Sequence, residues 1–392
     1  MREVVLLSGV RTAIGDYGGA LKDLPPNELG AIAIREAVSR SQLEPGQIGH
    51  VVFGNVIHTE PKDMYISRVA AVKAGLPHET PALTLNRLCG SAMQAIISAS
   101  QMIMLGDCDA AVAGGAEVMS RSGYMVPAMR WGQRMGDGAM LDSMVGALTD
   151  PFGAGHMGIT AENLASQYGI TRQEQDAFAV ESHRRAAAAV AAGYFKDQIV
   201  PVELKTRKGV TLFDTDEHVR SDIDADGLGK LRPAFLKDGT VTAGNASSLN
   251  DAAAAVVVMD AKEAEKKGLK PLARILGYAL SGVDPKIMGI GPVSAVQMVL
   301  KKTGVTLADI DVIESNEAFA AQACAVARGL DLPADRTNPN GGAIALGHPI
   351  GATGAIITVK AAYEMNRRGG KYALATMCIG GGQGIALLLG KA

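Results

Sequence analysis

Aromatic side chains are scarce in this chain, at 4% of 392 residues, with a single tryptophan. Large rings therefore cannot fill most of the interior. The 47 glycines and abundant alanines imply helices packed tightly on sheets, with backbone pressed close to its neighbours. Cysteine is scarce too. The four present, Cys89, Cys108, Cys324 and Cys378, are too few and too scattered for a disulfide scaffold or a paired metal motif, and they fit a reducing cytoplasm. A net charge of −2 excludes the strong field of a broad nucleic-acid or membrane-surface binder. No run approaches the ~20 apolar residues of a membrane span. The opening MREVVLLSGVRTAIG lacks the long apolar core and cleavage signature of a secretory signal and reads instead as a first buried strand. No G-x-G-x-x-G following a strand and no P-loop occurs, so nicotinamide and ATP chemistry have no support.

The composition, 47% hydrophobic and 20% charged, is that of an ordinary globular protein, and the length exceeds one comfortable core. Taken in order, the chain repeats itself. Residues 3–9 (EVVLLSG) read as a strand and Val10–Leu21 as a loop, while 27–41 show helical apolar spacing with Asn27 as a cap. His50–Phe53 is a short strand ending at Gly54-Asn55; after Cys89 come a helix to about Leu105 and a strand at 109–117. The second half runs through the same order: a strand at 271–282, a helix at 292–304, strand–turn–helix at 310–320, a glycine-rich stretch at 340–355 before the helix AIITVKAAYEMNRR, and strands at 371–382 and 384–390. IREAVSRSQLEPGQIGHVVF and VQMVLKKTGVTLADIDVIES match in helix, spacing and strand, and Cys89 and His348 hold matching loop-before-helix positions. The counterpart of the last strand, AAAAVVVMD at 252–260, follows only after a Met-rich, then helical, then charged excursion. The domains thus read as 1–117 plus 251–270, an inserted 118–250, and 271–392. This is a duplicated α/β unit whose mixed sheets are covered by helices on both sides.

Cys89 stands in Leu-Cys-Gly-Ser, between an apolar run and a segment able to begin a helix. Free backbone N–H groups and the positive end of a helix dipole there would favour its thiolate, which attacks acyl groups where a thiol does not. An isolated cysteine is more often a small buried hydrophobe; its company decides. His348 lies in Gly347-His348-Pro349, a turn fit to fix a base, and Cys378 enters the glycines of MCIGGGQG. A Cys/His pair alone also suits a hydrolase. A hydrolase needs no second acidic sulfur, whereas carbon–carbon bond formation between two thioesters needs a base for an α-proton, with a pKa near working pH.

Through LNRLCGSAMQAI, AGGAEVMS, HMGITAEN, TVTAGNASSLNDAAAA, GIGPV, ESNEAFAAQ, NPNGGAIALGHPIGATGA and MCIGGGQG, the chain resembles the thiolase family along essentially its full length. The resemblance implies a layered α-β-α-β-α fold, coenzyme A thioesters as substrates, and neither a cofactor nor a metal. It implies that Cys89 takes the acyl group, His348 the thiol proton and Cys378 the α-proton. One oxyanion hole is implied at the His348 ring and a water held by Asn316, and another at the backbone N–H groups of Cys89 and Gly380. By the same resemblance His156, Met157 and Ser247 line the pantetheine path with Ala318 and Phe319 across it, Arg220 meets the adenine end, and Met288 crowds the acyl pocket.

A homotetramer built as a dimer of dimers is implied as well. The segment 123–136, GYMVPAMRWGQRMG, is a candidate for mediating it or for folding over the site. FGNVIHTEPKDMYISRVAAV is similar to bacterial β-ketothiolases that feed polyhydroxyalkanoate synthesis. The expected reaction is reversible condensation of acetyl-CoA with itself or another short acyl-CoA. A degradative 3-ketoacyl-CoA thiolase for longer chains would use the same residues with a different pocket. A non-catalytic acyl-CoA or lipid binder would lack one of Cys89, Asn316, His348 and Cys378. A ketoacyl synthase would pair its cysteine with two histidines, or with histidine and asparagine.

Overall fold

The structure, a computed structural model, describes residues 2–206 and 209–392. Its first half contributes strands β1 (Val4–Thr12), β2 (His50–Gly54), β3 (Ala82–Leu85), β4 (Ala110–Val118) and β5 (Asn250–Asp260). The second contributes β6 (Ala273–Gly282), β7 (Val312–Ser315), β8 (Tyr372–Ile379) and β9 (Gln383–Gly390). The order across the sheet is β7-β8-β9-β6-β1-β5-β4-β2-β3. Along β1-β5-β4-β2 and along β6-β9-β8-β7 the pairings run antiparallel, antiparallel, parallel in both halves. Even a register shift is shared, between Leu6 and Ser8 in β1 and between Ile275 and Gly277 in β6. The repeat in the sequence is a repeat in topology.

The principal helices are α1 (Pro26–Ser41), α2 (Ile66–Ala74), α3 (Ser91–Leu105), α4 (Met157–Tyr168), α5 (Arg172–Ala191), α6 (Gly291–Thr303), α7 (Ala320–Leu330), α8 (Ala343–Leu346) and α9 (Thr353–Arg367). Strand alternation sorts the core into faces. Val5, Leu7, Val51 and Phe53 pack with α1 and α2, whereas Val4, Leu6 and Val52 join α3 and α9. In the second half Ala375 and Met377 face that same inner cluster, while Leu374 and Leu388 face α6. Helix α9 touches β1, β4 and β5 on one side and β7 and β8 on the other. The layers are therefore α-β-α-β-α, and the pairing of β1 with β6 (Val4 opposite Ile275) joins the two half-sheets into one. Small residues make the middle layer possible: a Cβ at Gly354 would lie 2.4 Å from the Met93 nitrogen across the α3–α9 contact.

Three local expectations are corrected. Strand β1 runs on to Thr12 because Arg11 and Thr12 pair with Ile199 and Val200 of the excursion. There the buried Arg11 guanidinium grips both oxygens of Asp216 at 2.7 and 2.9 Å. Asn27 is not a cap. The helix starts at Pro26, whose fixed φ suits the first turn, and the Asn27 amide donates to Glu60 and Asp63. One stretch, Leu88–Leu105, does have the length and apolarity of a membrane span; in this fold it is the turn into α3 and that central helix, packed in the inner cluster. The excursion leaves from the end of β4 and returns as β5 paired beside it, Ala252 opposite Glu117. Its tip carries Trp131 and Met135, 89% and 90% exposed.

Candidate active site

Between β3 and α3 the chain makes a strained turn. Leu88 holds a left-handed φ of 46°, rare for a bulky residue and common at functional sites. Ser91 Oγ fastens the turn, accepting the Arg87 N–H at 2.8 Å and donating to the Leu88 carbonyl at 2.6 Å. Cys89 is thereby presented two residues ahead of α3. The expectation of a helix-stabilised thiolate fails here. The N–H groups of Gly90 and Ser91 are spent on Arg87 and Leu88 carbonyls, and burial pushes the thiol up to about 11. The N–H groups of Gly380 and of Cys89 itself face the sulfur and pull the other way, while the Glu117 carboxylate adds to the rise. Cys89 rests as a thiol and needs a base.

That base is built from the turn before α9. Gly347 has a φ of 109°, and a Cβ on it would lie 2.4 Å from Asn250, so only glycine fits. The Asn250 side-chain oxygen accepts the His348 N–H at 2.8 Å. His348 Nδ1 meets Thr353 Oγ1 at 2.7 Å, and that hydroxyl donates to the Pro349 carbonyl at 2.9 Å. A hydroxyl has one proton and a carbonyl none, so we assign the imidazole proton to Nδ1. Nε2 then carries the lone pair and has no partner among the described residues. Burial pulls His348 down to about 4, which leaves it neutral and able to accept a proton at pH 7. Thr353→Val should free the tautomer and lower kcat/KM on the order of tenfold, with KM for coenzyme A unchanged; steady-state kinetics decide it, and an unaltered kcat would reject the lock.

The same burial makes an acid-stability prediction. The unfolded chain takes up a proton on His348 near its ordinary 6.5, the folded chain only near 4. Stability is therefore present above about 6.5 and lost as pH falls toward 4, by roughly 3 kcal/mol. In denaturant titrations from pH 7 to 4, His348→Asn should lose that much less stability than the wild-type chain.

Cys378 is the penultimate residue of β8, opposite Gly384 of β9. Burial first, and then the neighbouring Cys89, push its thiol far up. A value near working pH, expected for a general acid–base, is not what the resting site has, because the one backbone donor, the N–H of Cys378 itself, is outweighed by the loss of water. Cys89, His348, Cys378 and Gly380 share the floor of one cleft of about 500 Å³. Met157, Met288, Ala318 and Phe319 wall it, His156 and Ser247 line it higher up, and the exposed Arg220 sits at its edge. The His156 Nδ1 accepts the Gly158 N–H at 3.1 Å, and Ser247 Oγ donates to the Ala318 carbonyl at 2.9 Å. Eleven of the twelve residues singled out in the sequence thus meet at one cleft. Asn316 does not line it. It is buried, and among the described residues neither of its side-chain polar atoms has a partner; it lies on a small cavity shared with Gly347 and Thr353.

Several lining residues went unread in the sequence. Phe235 stacks on His156, centroids 4.8 Å apart, and meets Phe319 edge-on. Leu148, Leu249 and Ile350 form an apolar wall beside Cys89, and His218, bonded to Asp16 at 2.7 Å, stands near Arg220. Phe235 follows the charged part of the excursion, where no periodicity marks a half-buried position; His218, two residues before Arg220, was the one visible signal.

A neutral imidazole, a half-buried nucleophilic thiol and a second, buried thiol, at the foot of an apolar cleft, define an acyl-transferring enzyme that works through a cysteine. Residues 4–262 match the thiolase N-terminal domain and residues 269–391 the thiolase C-terminal domain. The chain belongs to the thiolase family. It is 64% identical over 388 residues to the beta-ketothiolase BktB of Cupriavidus necator, covering 99% of this chain and 98% of that one. It is 54% identical over 387 residues to an acetyl-CoA acetyltransferase of Chromobacterium violaceum, covering 98% of each. Among solved structures, human mitochondrial 3-ketoacyl-CoA thiolase in complex with CoA superposes with a TM-score of 0.97 at 45% identity, over 100% of this chain and 98% of that one.

Proposed function

We propose that the protein condenses two short acyl-CoA molecules, one of them acetyl-CoA, to a 3-ketoacyl-CoA and free coenzyme A, and runs the reverse thiolysis. The observation that carries this is the adjacency of two thiols, the half-buried Cys89 and the buried Cys378, with the free nitrogen of His348 in the same cleft. His348 Nε2 takes the Cys89 proton, and the sulfur attacks the thioester carbonyl of the first acyl-CoA. The departing coenzyme A thiolate recovers that proton, leaving acyl-Cys89 and neutral His348. The Cys378 thiol then hands its proton to His348, and the Cys378 thiolate takes an α-proton from the second acyl-CoA. The resulting carbon attacks the Cys89 thioester and expels the Cys89 sulfur, which the imidazolium reprotonates. One α-proton leaves that substrate and one proton returns to the Cys89 sulfur, so the site closes its cycle. The Gly380 and Cys89 N–H groups beside the sulfur serve one developing oxyanion, and the His348 ring, with a water held by Asn316, serves the other.

Residues 118–250 act in this reading as an inserted unit that supplies the coenzyme A wall, from His156 and Met157 to Ser247, with Arg220 toward the adenine end. Similarity to a beta-ketothiolase at 64% identity favours short, variable acyl groups and a supply role in polyhydroxyalkanoate synthesis, and Met288 with the Leu148 wall sets the room for the acyl group. Thiolysis of acetoacetyl-CoA and 3-ketovaleryl-CoA, side by side, tests it. Turnover of both supports the broad short-chain enzyme; turnover of only the four-carbon substrate narrows it, and preference for longer chains replaces it with the degradative reading that likeness to the human 3-ketoacyl-CoA thiolase keeps in view. The exposed Met125, Met129, Trp131 and Met135 are apolar surface suited to assembly into a homotetramer; sedimentation as a monomer at micromolar concentration would reject it. Four free cysteines fit a cytoplasmic setting.

A further inference from the structure

Beside Cys89 lies a buried carboxylate, Glu117, with no part in the acyl-transfer steps and, among the described residues, no paired cation. Its two oxygens accept four N–H groups: Asn55 Nδ2 at 3.0 Å and Ile57 at 3.1 Å on one, Val56 at 3.0 Å and Gly351 at 2.9 Å on the other. Four donors fill a carboxylate's capacity. They come from two places: Asn55–Ile57 follow β2 in the first half, and Gly351 belongs to the His348 turn of the second. Gly351 is pressed so close that a Cβ there would lie 2.4 Å from the Glu117 oxygen. The side chains adjoining these bonds, Ile57 and Ile350, pack with Met119 and against Cys89.

The position of Glu117 in the duplication is informative. Parallel pairing sets Gly54 opposite Gly115 in the first half and Ser315 opposite Thr376 in the second. One residue beyond the first of each pair stand Asn55 and Asn316; two beyond the other stand Glu117 and Cys378. Asn55 and Glu117 thus occupy in the first half the places that Asn316 and Cys378 hold in the second.

We propose that Glu117, the first-half equivalent of Cys378, is a positioning residue for acyl transfer: through the Gly351 N–H it seats the His348 turn and Ile350 against the Cys89 half, with its carboxylate on the Cys89 side of that seam. The groups around Cys89 are neutral His348 and Cys378 from the second half and Glu117 from β4, so Glu117 supplies the charge, and it raises the Cys89 thiol. Burial, with a smaller push from Asp63, lifts the Glu117 carboxyl itself to about 8 against its backbone donors. Every group facing its oxygens is a donor, however, so a proton on either would meet an N–H, and the carboxylate is the form that fits.

Glu117→Gln removes the charge at constant size. Acetoacetyl-CoA thiolysis should lose roughly 10- to 100-fold in kcat with KM for coenzyme A held within about threefold. The pH midpoint of Cys89 alkylation by iodoacetamide should fall, since the charge that opposes the thiolate is gone. Glu117→Asp, which keeps the charge but shortens the reach, should lose kcat and keep the wild-type midpoint. A folded Glu117→Gln protein with near-wild-type kcat and an unmoved midpoint overturns the proposal. If that variant does not fold, Asn55→Ala decides, since it removes one donor and leaves the carboxylate: a fall in kcat of about threefold or more at constant KM supports the proposal, and wild-type kcat overturns it. The inference rests on the thiolase reading; alkylation needs no turnover, so a wild-type protein without thiolysis would sink that reading while the midpoint still reports on Glu117.

Discussion

Cys89→Ala is expected to lower thiolysis and condensation by about 10⁴-fold or more, with the fold intact. The sulfur is the only group on the cleft floor that combines a free lone pair for attack with a base in the same cleft and N–H groups aimed at the reacting atom. Without it, coenzyme A would have to be displaced directly by a carbanion generated while both substrates are bound together in a cleft of about 500 Å³. Alanine leaves the turn untouched, because Ser91 and the Leu88 carbonyl hold it through atoms that the substitution spares. Intact-protein mass spectrometry after incubation with acetyl-CoA should find one acetyl group on the wild-type chain and none on the variant. Persistent acylation of the variant would place the nucleophile elsewhere.

Cys378→Ala should divide the reaction. Overall condensation and thiolysis are expected to fall about 10²- to 10⁴-fold, the range for removal of a general acid–base. Exchange of labelled coenzyme A into acetyl-CoA needs only Cys89 and His348, and it should stay within about tenfold of wild type. The reason is spatial: Cys378 arrives on β8 of the second half, whereas the Cys89 turn is held by its own Ser91 and Arg87. Cys378 rests as a neutral thiol, so removing it leaves the charge around Cys89 unchanged and acylation has no reason to slow. Equal loss of exchange and condensation would sink this division of labour.

Much of the architecture was legible because it is written in short-range pattern. The buried runs at 4–12, 250–260 and 372–390 are apolar and β-branched, and the glycines at 347, 380 and 381 mark where backbone turns sharply or is approached closely. The chemistry-bearing residues were legible as stretches, and the cleft collects them. Electrostatics were not. The direction of the Cys89 and Cys378 shifts depends on burial beneath the whole fold and on where the Gly90 and Ser91 N–H groups go, which a helix start by itself does not reveal. Glu117 was invisible for a related reason: its partners lie about 60 and 234 positions away, and a glutamate in an apolar strand carries no label of what will meet it. Asn27 misled because a good capping residue was outranked by the two prolines before it. Thr353 was the avoidable omission, since it lies only five residues beyond His348.

The matched halves place asparagine at both 55 and 316, but cysteine against histidine at 89 and 348, and glutamate against cysteine at 117 and 378. Two separate copies of one half, related by a rotation axis, would be products of a single gene, and every such pair would have to be the same residue. Facing thiols or facing imidazoles would result, never a nucleophile opposite its base. Joining the halves in one polypeptide lifts that constraint, because each position then mutates without dragging its twin along. What looks like redundancy in the sheet is the condition for division of roles in the cleft.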